Sequence, residues 1–184
     1  MIKGLKILLI VITVLVILGL ALPRDFRVYR EIEIAAPPES IYPYLNELFL
    51  WPLWAPWSDP NTRFTIGTPA SGIGAQQSWE DDSGGGQMTI VASDPRFGIR
   101  YEIRYGNSAK VYPAQVGFQR VAPEQTRVYW QMEGEIDSPI VGPFLALLTG
   151  TMIGDPFEQG LSKLKWLVES PTTETPETPA ASAE

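Results

Sequence analysis

The sequence has 184 residues, 45% of them hydrophobic, a formal net charge of −7 at pH 7, and neither cysteine nor histidine. Its length suits one domain with short appendages, and its apolar content is sufficient for a core that needs no disulfide or metal. The absence of imidazole and thiol groups excludes thiol nucleophiles, thiolate metal sites and catalytic triads built on histidine. The acidic charge, with no basic stripe, argues against nucleic-acid binding.

The N-terminal segment is dominated by an apolar run from Leu5 to Leu22, which only Lys6 interrupts. As a helix this run would be roughly 27 Å long, close to the thickness of a bilayer core. A cleaved signal peptide is the alternative, because the chain has a basic start and Gly19-Leu20-Ala21 resembles a cleavage site. The run is long for a signal peptide, so residues 1–24 are predicted to be a retained membrane anchor, with the lipid bilayer as the partner of residues 5–22.

The orientation of this anchor rests on a weaker pattern. Lys3 and Lys6 on one side face Arg24, Arg27 and Arg30 on the other, so the distribution of positive charge does not decide it. A short N-terminal tail followed by a folded domain is typical of a signal anchor, which favours a domain outside the cytoplasm.

Beyond the anchor, alternating apolar residues predict a strand over Phe26–Ala35, and prolines at its end start a short helix that finishes near Asn46 to Phe49. The segment Trp51–Pro60 holds three tryptophans and three prolines, which predicts a helical turn and a loop. Six further strands, separated by turn signals, are predicted over Arg63–Ile66, Ala75–Glu80, Gln87–Ser93, Gly98–Tyr105, Val111–Val121 and Thr126–Ile136. Their close succession implies an antiparallel meander.

The last predicted element is a long helix from about Ile140 to Val168, with an apolar stripe and an irregularity at Pro156. This helix needs a sheet to pack on. Residues 170–184 are rich in Pro, Thr and Glu and have no large apolar side chain, so they are predicted to be a disordered tail. The folded domain is therefore expected over residues 25–169.

A set of short motifs, in this order and at this spacing, is similar to those of a known family. The motifs are Ala36–Ser40, Trp51–Trp57, Asp59-Pro60, Gly72, Gly74-Ala75, Trp79, Gly86–Ile90, Thr126–Val128, Met152–Gly154, Phe157-Glu158 and Gly160-Leu161. Across residues 27–169 the sequence resembles the START-like (SRPBCC, helix-grip) superfamily, and within it the bacterial polyketide cyclase/dehydrase and lipid-transport type family. An N-terminal membrane helix ahead of the domain also resembles the arrangement in bacterial members.

The resemblance implies an α+β helix-grip fold, in which a curved antiparallel sheet of about seven strands wraps around the long C-terminal helix and leaves a cavity between them. It does not imply one chemistry, because members include ring cyclases, dehydratases, lipid carriers and chaperone activators. No catalytic motif of the family can be matched to residues of this sequence.

Strand alternation predicts which side chains face the C-terminal helix. Such residues form either the core or the lining of a ligand cavity, since small-molecule sites are concave and mostly apolar. The predicted cavity lining consists of Trp54, Trp57, Trp79, Met88, Ile90, Tyr101, Ile103, Tyr105, Phe118, Trp130, Met132, Phe144 and Met152. The tryptophan loop is interpreted either as a plug at one end of the grip or as an aromatic entrance that contacts ligand or lipid.

Polar residues offer little for catalysis or for metal binding. Arg120 and Glu80 are both interpreted as solvated, although Arg120 lies in the inward phase of its strand. Asp81 and Asp82 lack the spaced oxygen ligands of a calcium loop, and Gly84-Gly85-Gly86 precedes a strand and not the helix that a phosphate loop requires. No metal and no cofactor are predicted.

Three hypotheses about function follow, from different classes. The first is a membrane-anchored domain that binds a small hydrophobic or amphipathic, lipid-like ligand between the sheet and the helix. The second is an enzyme of the cyclase or dehydratase type, in which Tyr101, Tyr105 or Arg120 polarises a carbonyl, although the missing catalytic motif argues against it. The third is a non-catalytic interaction module with a filled core. A polar group deep in the cavity with a perturbed pKa would separate the first two.

Overall fold

The structure, a computed structural model, describes residues 2–56, 62–80, 84–106 and 108–170. The helices are α1 (Ile2–Ala21), α2 (Pro38–Asn46), α3 (Trp51–Trp54), α4 (Gly142–Met152) and α5 (Gly154–Glu169), with a 3-10 turn at Leu48–Leu50. The strands are β1 (Asp25–Ile34), β2 (Arg63–Ile66), β3 (Gln76–Glu80), β4 (Gly86–Asp94), β5 (Gly98–Tyr105), β6 (Tyr112–Ala122) and β7 (Gln125–Glu135).

Some of the sequence predictions concern residues outside the described ranges. These are the tail beyond Ser170, the end of the Trp51–Pro60 loop with Trp57 and the motif Asp59-Pro60, and the acidic pair Asp81-Asp82.

The seven strands form one antiparallel sheet in the order β1-β7-β6-β5-β4-β3-β2. Strands β2 to β7 pair in chain order, and β1 joins the sheet beside β7. Register shifts between Ile90 and Ala92 and between Arg120 and Ala122 mark irregularities of the kind that bend strands and increase their twist. The predicted α+β fold is confirmed, and every predicted strand is found with its ends shifted by at most one residue.

Antiparallel pairing brings alternate strand ends to the same edge of the sheet. β1 begins at Asp25, shortly after α1 ends at Ala21, and Asp25 pairs with Glu135 at the end of β7. The ends of β5 and β3 and the starts of β6, β4 and β2 lie at this edge as well. We name this end of the sheet, where strands start or finish, the α1-side edge. Its residues are Asp25, Glu135, Tyr112, Tyr105, Gly86, Glu80 and Arg63.

Four aromatic side chains pack together between the sheet and α5, and we name them the aromatic plug. They are Trp51 and Trp54 of α3, Trp130 of β7 and Phe157 of α5. Trp130 of β7 stacks on Phe157 of α5 with 4.1 Å between ring centroids and 4° between ring planes. The ring centroid of Trp54 lies 5.2 Å from that of Trp130 and 5.1 Å from that of Trp51. The indole N–H groups of Trp51 and Trp54 each donate to a backbone carbonyl of α2 at 2.9 Å. All four rings are buried, and both indole N–H groups of α3 have hydrogen-bond acceptors.

The long C-terminal helix is confirmed in two segments, α4 and α5, which meet at Ile153. The sequence places the irregularity at Pro156, and the observed break lies three residues earlier. A proline ring clashes with the carbonyl of the residue four positions before it, here Met152, so the distortion falls in the preceding turn. The helical path still continues across the break, because the Phe157 N–H donates to the Ile153 carbonyl at 3.1 Å.

The N-terminal helix α1 stands apart from the sheet. Its residues Lys3–Ala21 are long and apolar enough to cross a membrane, by length and composition. Nearly all of its side chains are exposed, but Gly19 is buried against the backbone of Ile140, just before α4. A β-carbon at Gly19 would collide with the Ile140 carbonyl oxygen, so glycine permits this close approach.

We expect Trp54→Ala to lower the free energy of unfolding by about 3–5 kcal/mol, the usual cost of emptying a buried aromatic site. Leu53→Ala is the matched control, because Leu53 is the exposed neighbour in the same helix, and its effect should stay within about 0.5 kcal/mol. Chemical denaturation of the full chain in mild detergent, followed by tryptophan fluorescence, measures both. Equal losses for the two variants would contradict the structural role assigned to Trp54.

Candidate ligand-binding cavity

The space between the sheet and α5, where the sequence predicts a cavity, is filled at its centre. Below the plug, the Trp130 indole N–H donates to the hydroxyl of Tyr101 at 2.6 Å, and both residues are buried. Burial raises the pKa of the Tyr101 phenol, which therefore stays neutral. The middle of the grip is a packed aromatic core.

A cavity of about 200 Å³ remains on the same face of the sheet, beside the plug and close to the α1-side edge. Its walls come from β2, β3, β4 and β5 and from the residue that precedes β2. The lining residues are Thr62, Phe64, Gln77, Trp79, Met88, Ile103 and Tyr105. Strand register brings them together, since cross-strand partners are Phe64 with Trp79, Gln77 with Met88, and Met88 with Ile103.

The aromatic wall of the cavity depends on Gly86. Trp79 pairs with Gly86, and its ring lies so close that a β-carbon at Gly86 would collide with it. The rings of Trp79 and Tyr105 meet edge to face with centroids 5.9 Å apart. The contacts continue from Tyr105 to Tyr112 at 5.7 Å and from Tyr112 to Phe26 at 6.2 Å. An aromatic row thus follows the α1-side edge from the cavity to the start of β1.

One polar group in the lining is both buried and unpartnered. Gln77 is only 5% exposed, and its side-chain oxygen Oε1 has no hydrogen-bond partner among the residues that the structure describes. A buried acceptor left without a partner costs about 1–3 kcal/mol. Phe64, Trp79, Met88 and Ile103 make the neighbouring walls mostly apolar, so this buried oxygen is a directional feature that could orient a ligand, beside the hydroxyl groups of Thr62 and Tyr105.

Of the described lining residues, only Tyr105 carries a titratable group. It lies at the mouth with 46% of its surface exposed, and partial burial together with the nearby Tyr112 raises the pKa of its phenol. It can therefore donate a hydrogen bond, but it is a poor acid. Arg120 is exposed and forms an ion pair with Glu39 at 2.6 Å, and neither Arg120 nor Tyr101 lines the cavity.

The structure divides the predicted cavity residues into four groups. Trp79, Met88, Ile103 and Tyr105 do line the cavity. Six others are buried in the core and do not line it: Trp54, Ile90, Tyr101, Phe118, Trp130 and Met132. Phe144 is half-buried on α4, and Met152 is 66% exposed, which corrects the expectation that both face the cavity. Trp57 lies outside the described residues. The burial of Trp54 removes it from any entrance or lipid contact.

Sequence reasoning missed Thr62, Phe64 and Gln77. Gln77 has a detectable signal, because it lies two residues before Trp79 and so shares its face of β3. Phe64 is equally readable from its alternation with the exposed residues beside it in β2. Among the described residues, no group of three acidic side chains is placed to hold a metal ion.

Fold and cavity together define a START-like, helix-grip protein with a pocket suited to hydrophobic ligands. The chain belongs to the polyketide cyclase / dehydrase and lipid transport family, whose model matches residues 25–169. No curated protein matches the chain.

Solved structures show the same fold. A protein from Nitrosospira multiformis is 19% identical, with a TM-score of 0.58 over 78% of this chain and 97% of that chain. Norcoclaurine synthase from Thalictrum flavum, in complex with dopamine and hydroxybenzaldehyde, is 14% identical, with a TM-score of 0.60 over 85% of this chain and 94% of that chain. The Aha1 dimer from Colwellia psychrerythraea is 19% identical, with a TM-score of 0.56 over 78% of this chain and 96% of that chain. At these identities the likeness concerns the fold alone.

We expect Gln77→Leu to leave the ligand-free protein as stable as before, or to stabilise it by about 1 kcal/mol, because the change removes a buried unpaired oxygen. Gln76→Leu is the control on the opposite, exposed face of β3. Denaturation of the full chain in detergent compares the two variants. A clear loss of stability for Gln77→Leu alone would mean that the amide is hydrogen-bonded in the folded protein.

Proposed function

We propose that this protein is a membrane-anchored binding domain that takes a small hydrophobic or amphipathic, lipid-like ligand into the cavity between β2 and β5. The observation that carries the proposal is the cavity itself: apolar walls around one buried, unpartnered amide oxygen. A ligand with an apolar body and one hydroxyl group satisfies both features, because the body covers the walls while the hydroxyl donates to Gln77 Oε1.

The cavity volume limits what can be enclosed. Ligand sites for drug-sized molecules measure about 300–1,000 Å³, whereas a dry cavity of about 150 Å³ holds benzene. The volume of about 200 Å³ therefore suits a single ring, or the end of an isoprenoid or acyl chain. A longer ligand would extend past Tyr105 and out of the mouth.

The anchoring part of the proposal rests on α1. Its exposed apolar side chains have no cover within the described part of the protein, and a helix of 20 residues spans about 30 Å, which matches a bilayer core. Three residues, 22–24, separate α1 from β1, so the sheet starts within roughly 10 Å of the end of the helix. We infer a retained signal anchor with the domain outside the cytoplasm.

The position of the cavity supports a joint role for the two parts. The cavity lies at the α1-side edge, and the aromatic row connects it to Phe26 near the start of β1. Its mouth is therefore on the side of the domain nearest the proposed membrane, where apolar molecules are concentrated.

Fluorine NMR of 4-fluorophenol and fluorobenzene tests the binding site, with the full chain in lipid nanodiscs and empty nanodiscs as background. Both probes are of benzene size, and both should bind. Thr62→Phe should abolish binding because it places a ring in the cavity, whereas Thr65→Phe, at an exposed position in the adjoining strand β2, should leave it unchanged. Absence of binding by the unaltered chain, or equal binding by both variants, would refute the proposed site.

Gln77→Leu refines the same experiment. It should lower the affinity for 4-fluorophenol by roughly threefold to tenfold, since one net hydrogen bond contributes about 0.5–1.5 kcal/mol. The affinity for fluorobenzene should not change. Equal weakening of both probes would mean that Gln77 contributes shape and not a hydrogen bond.

Membrane extraction tests the anchor. When the full chain is expressed in a bacterial host, it should stay in the membrane pellet after alkaline carbonate treatment, and mass spectrometry should find α1 intact. Protease added to spheroplasts should degrade the domain, because we place it outside the cytoplasm. A shorter, soluble product that starts after Ala21 would instead identify α1 as a cleaved signal.

A further inference from the structure

We propose that α4 is a second membrane contact, which lies in the bilayer interface beside α1. The inference rests on the proposed anchoring of α1. The contacting surface is the α4 stripe, defined by Val141, Leu145, Leu148 and Met152.

The α4 stripe is an exposed apolar face on an uncharged segment. Its four residues follow one another at intervals of four, three and four positions, which places them on one side of a helix. All four are exposed, Met152 by 66%, and the adjacent Leu147 is exposed by 74%. No charged residue occurs in residues 138–154, between Asp137 and Asp155. Contiguous apolar patches of this kind mark interaction sites on soluble surfaces.

The opposite side of α4 is fixed to the domain, so the direction of the stripe is determined. Pro143 and Thr149 are buried, and the helix packs against β1. The Arg30 guanidinium of β1 donates to the carbonyl of Gly150 at 2.8 Å. With that side held by the sheet, the stripe faces away from the domain.

The occupant of the stripe follows from the contact between α4 and α1. Ile140 lies against Gly19, which belongs to the last turn of α1, so α4 starts at the level where α1 would leave the hydrocarbon core. The apolar surface of α1 therefore meets the α4 segment at this contact. Arg24 lies beside Gly142 at the start of α4, where its charge is paired with Glu135 at 2.8 Å. Helices that lie in the interface bury an apolar face about 5–10 Å into the boundary between headgroups and acyl chains. Phospholipid acyl chains are the cover that both helices share.

Two contacts would also restrict the tilt of the domain. With α1 alone, the domain could rotate about residues 22–24. With α4 also docked, the α1-side edge and the cavity mouth keep one orientation toward the lipid surface.

Single labelled cysteines test this directly, because the chain has no cysteine of its own. Leu148→Cys, Leu15→Cys and Phe97→Cys each receive the environment-sensitive fluorophore NBD, and the full chain is placed in phosphatidylcholine vesicles with or without doxyl-labelled lipid. Leu148 reports on the stripe and Leu15 on the α1 anchor. Phe97 is the matched control, an exposed apolar residue in the β4–β5 turn at the opposite edge of the sheet.

We expect the emission of the label at position 148 to shift to the blue. Its quenching should reach at least about half of the quenching at position 15, and doxyl groups close to the headgroup should quench it best. The label at position 97 should show neither effect. Quenching of the label at position 15 but not of the label at position 148 would overturn the α4 inference and leave the anchor in place. If the unquenched label at position 148 is nevertheless shifted to the blue, a second copy of the chain covers the stripe, and the α4 inference is overturned as well. Absence of quenching at 15 would refute the anchor itself, and the α4 inference with it.

Discussion

The stack of Trp130 on Phe157 joins the sheet to α5, and much of the remaining architecture depends on it. Buried aromatic side chains each remove about 150–250 Å² from water, so four of them in one place dominate the packing between sheet and helix. Trp51 and Trp54 complete the plug because α3 directs both indoles inward and α2 accepts their N–H groups. With the centre filled, the candidate cavity lies beside the plug, over β2 to β5. The position of the cavity is thus a consequence of where the tryptophans pack.

The sheet was predictable from sequence, because period-two alternation and turn residues determine strand limits locally. The fate of each inward side chain was not. Trp79 and Trp130 share the inward phase of their strands, yet Trp130 is fully buried under α5 while Trp79 lines the cavity. Alternation assigns a face of the sheet, but the distance of a residue from the helix depends on strand order and register. This is why four of the predicted residues line the cavity and six others lie in the core.

The C-terminal helix shows a different limit. Its apolar residues predict a stripe that packs on the sheet, and α5 does so through Phe157 and Leu161. In α4, Leu147, Leu148 and Met152 follow a similar pattern but remain exposed. Burial in protein and burial in lipid remove the same apolar surface from water, so helical periodicity alone does not distinguish them. The contact of Ile140 with Gly19 of α1 is the observation on which the proposed lipid contact of α4 rests.

A weak interfacial helix is sufficient when it is tethered. Peripheral helices that bind membranes unaided combine an apolar face with lysine and arginine for anionic lipid, whereas residues 138–154 carry no charge at all. A short tether makes the second contact intramolecular, with an effective concentration on the order of millimolar. Docking of α4 then needs only the transfer of a few aliphatic side chains, at about 0.8 kcal/mol for each buried CH₂ group. Under the proposed anchoring of α1, an uncharged, moderately apolar α4 is therefore sufficient, and we expect it to bind membranes poorly in a domain released from α1.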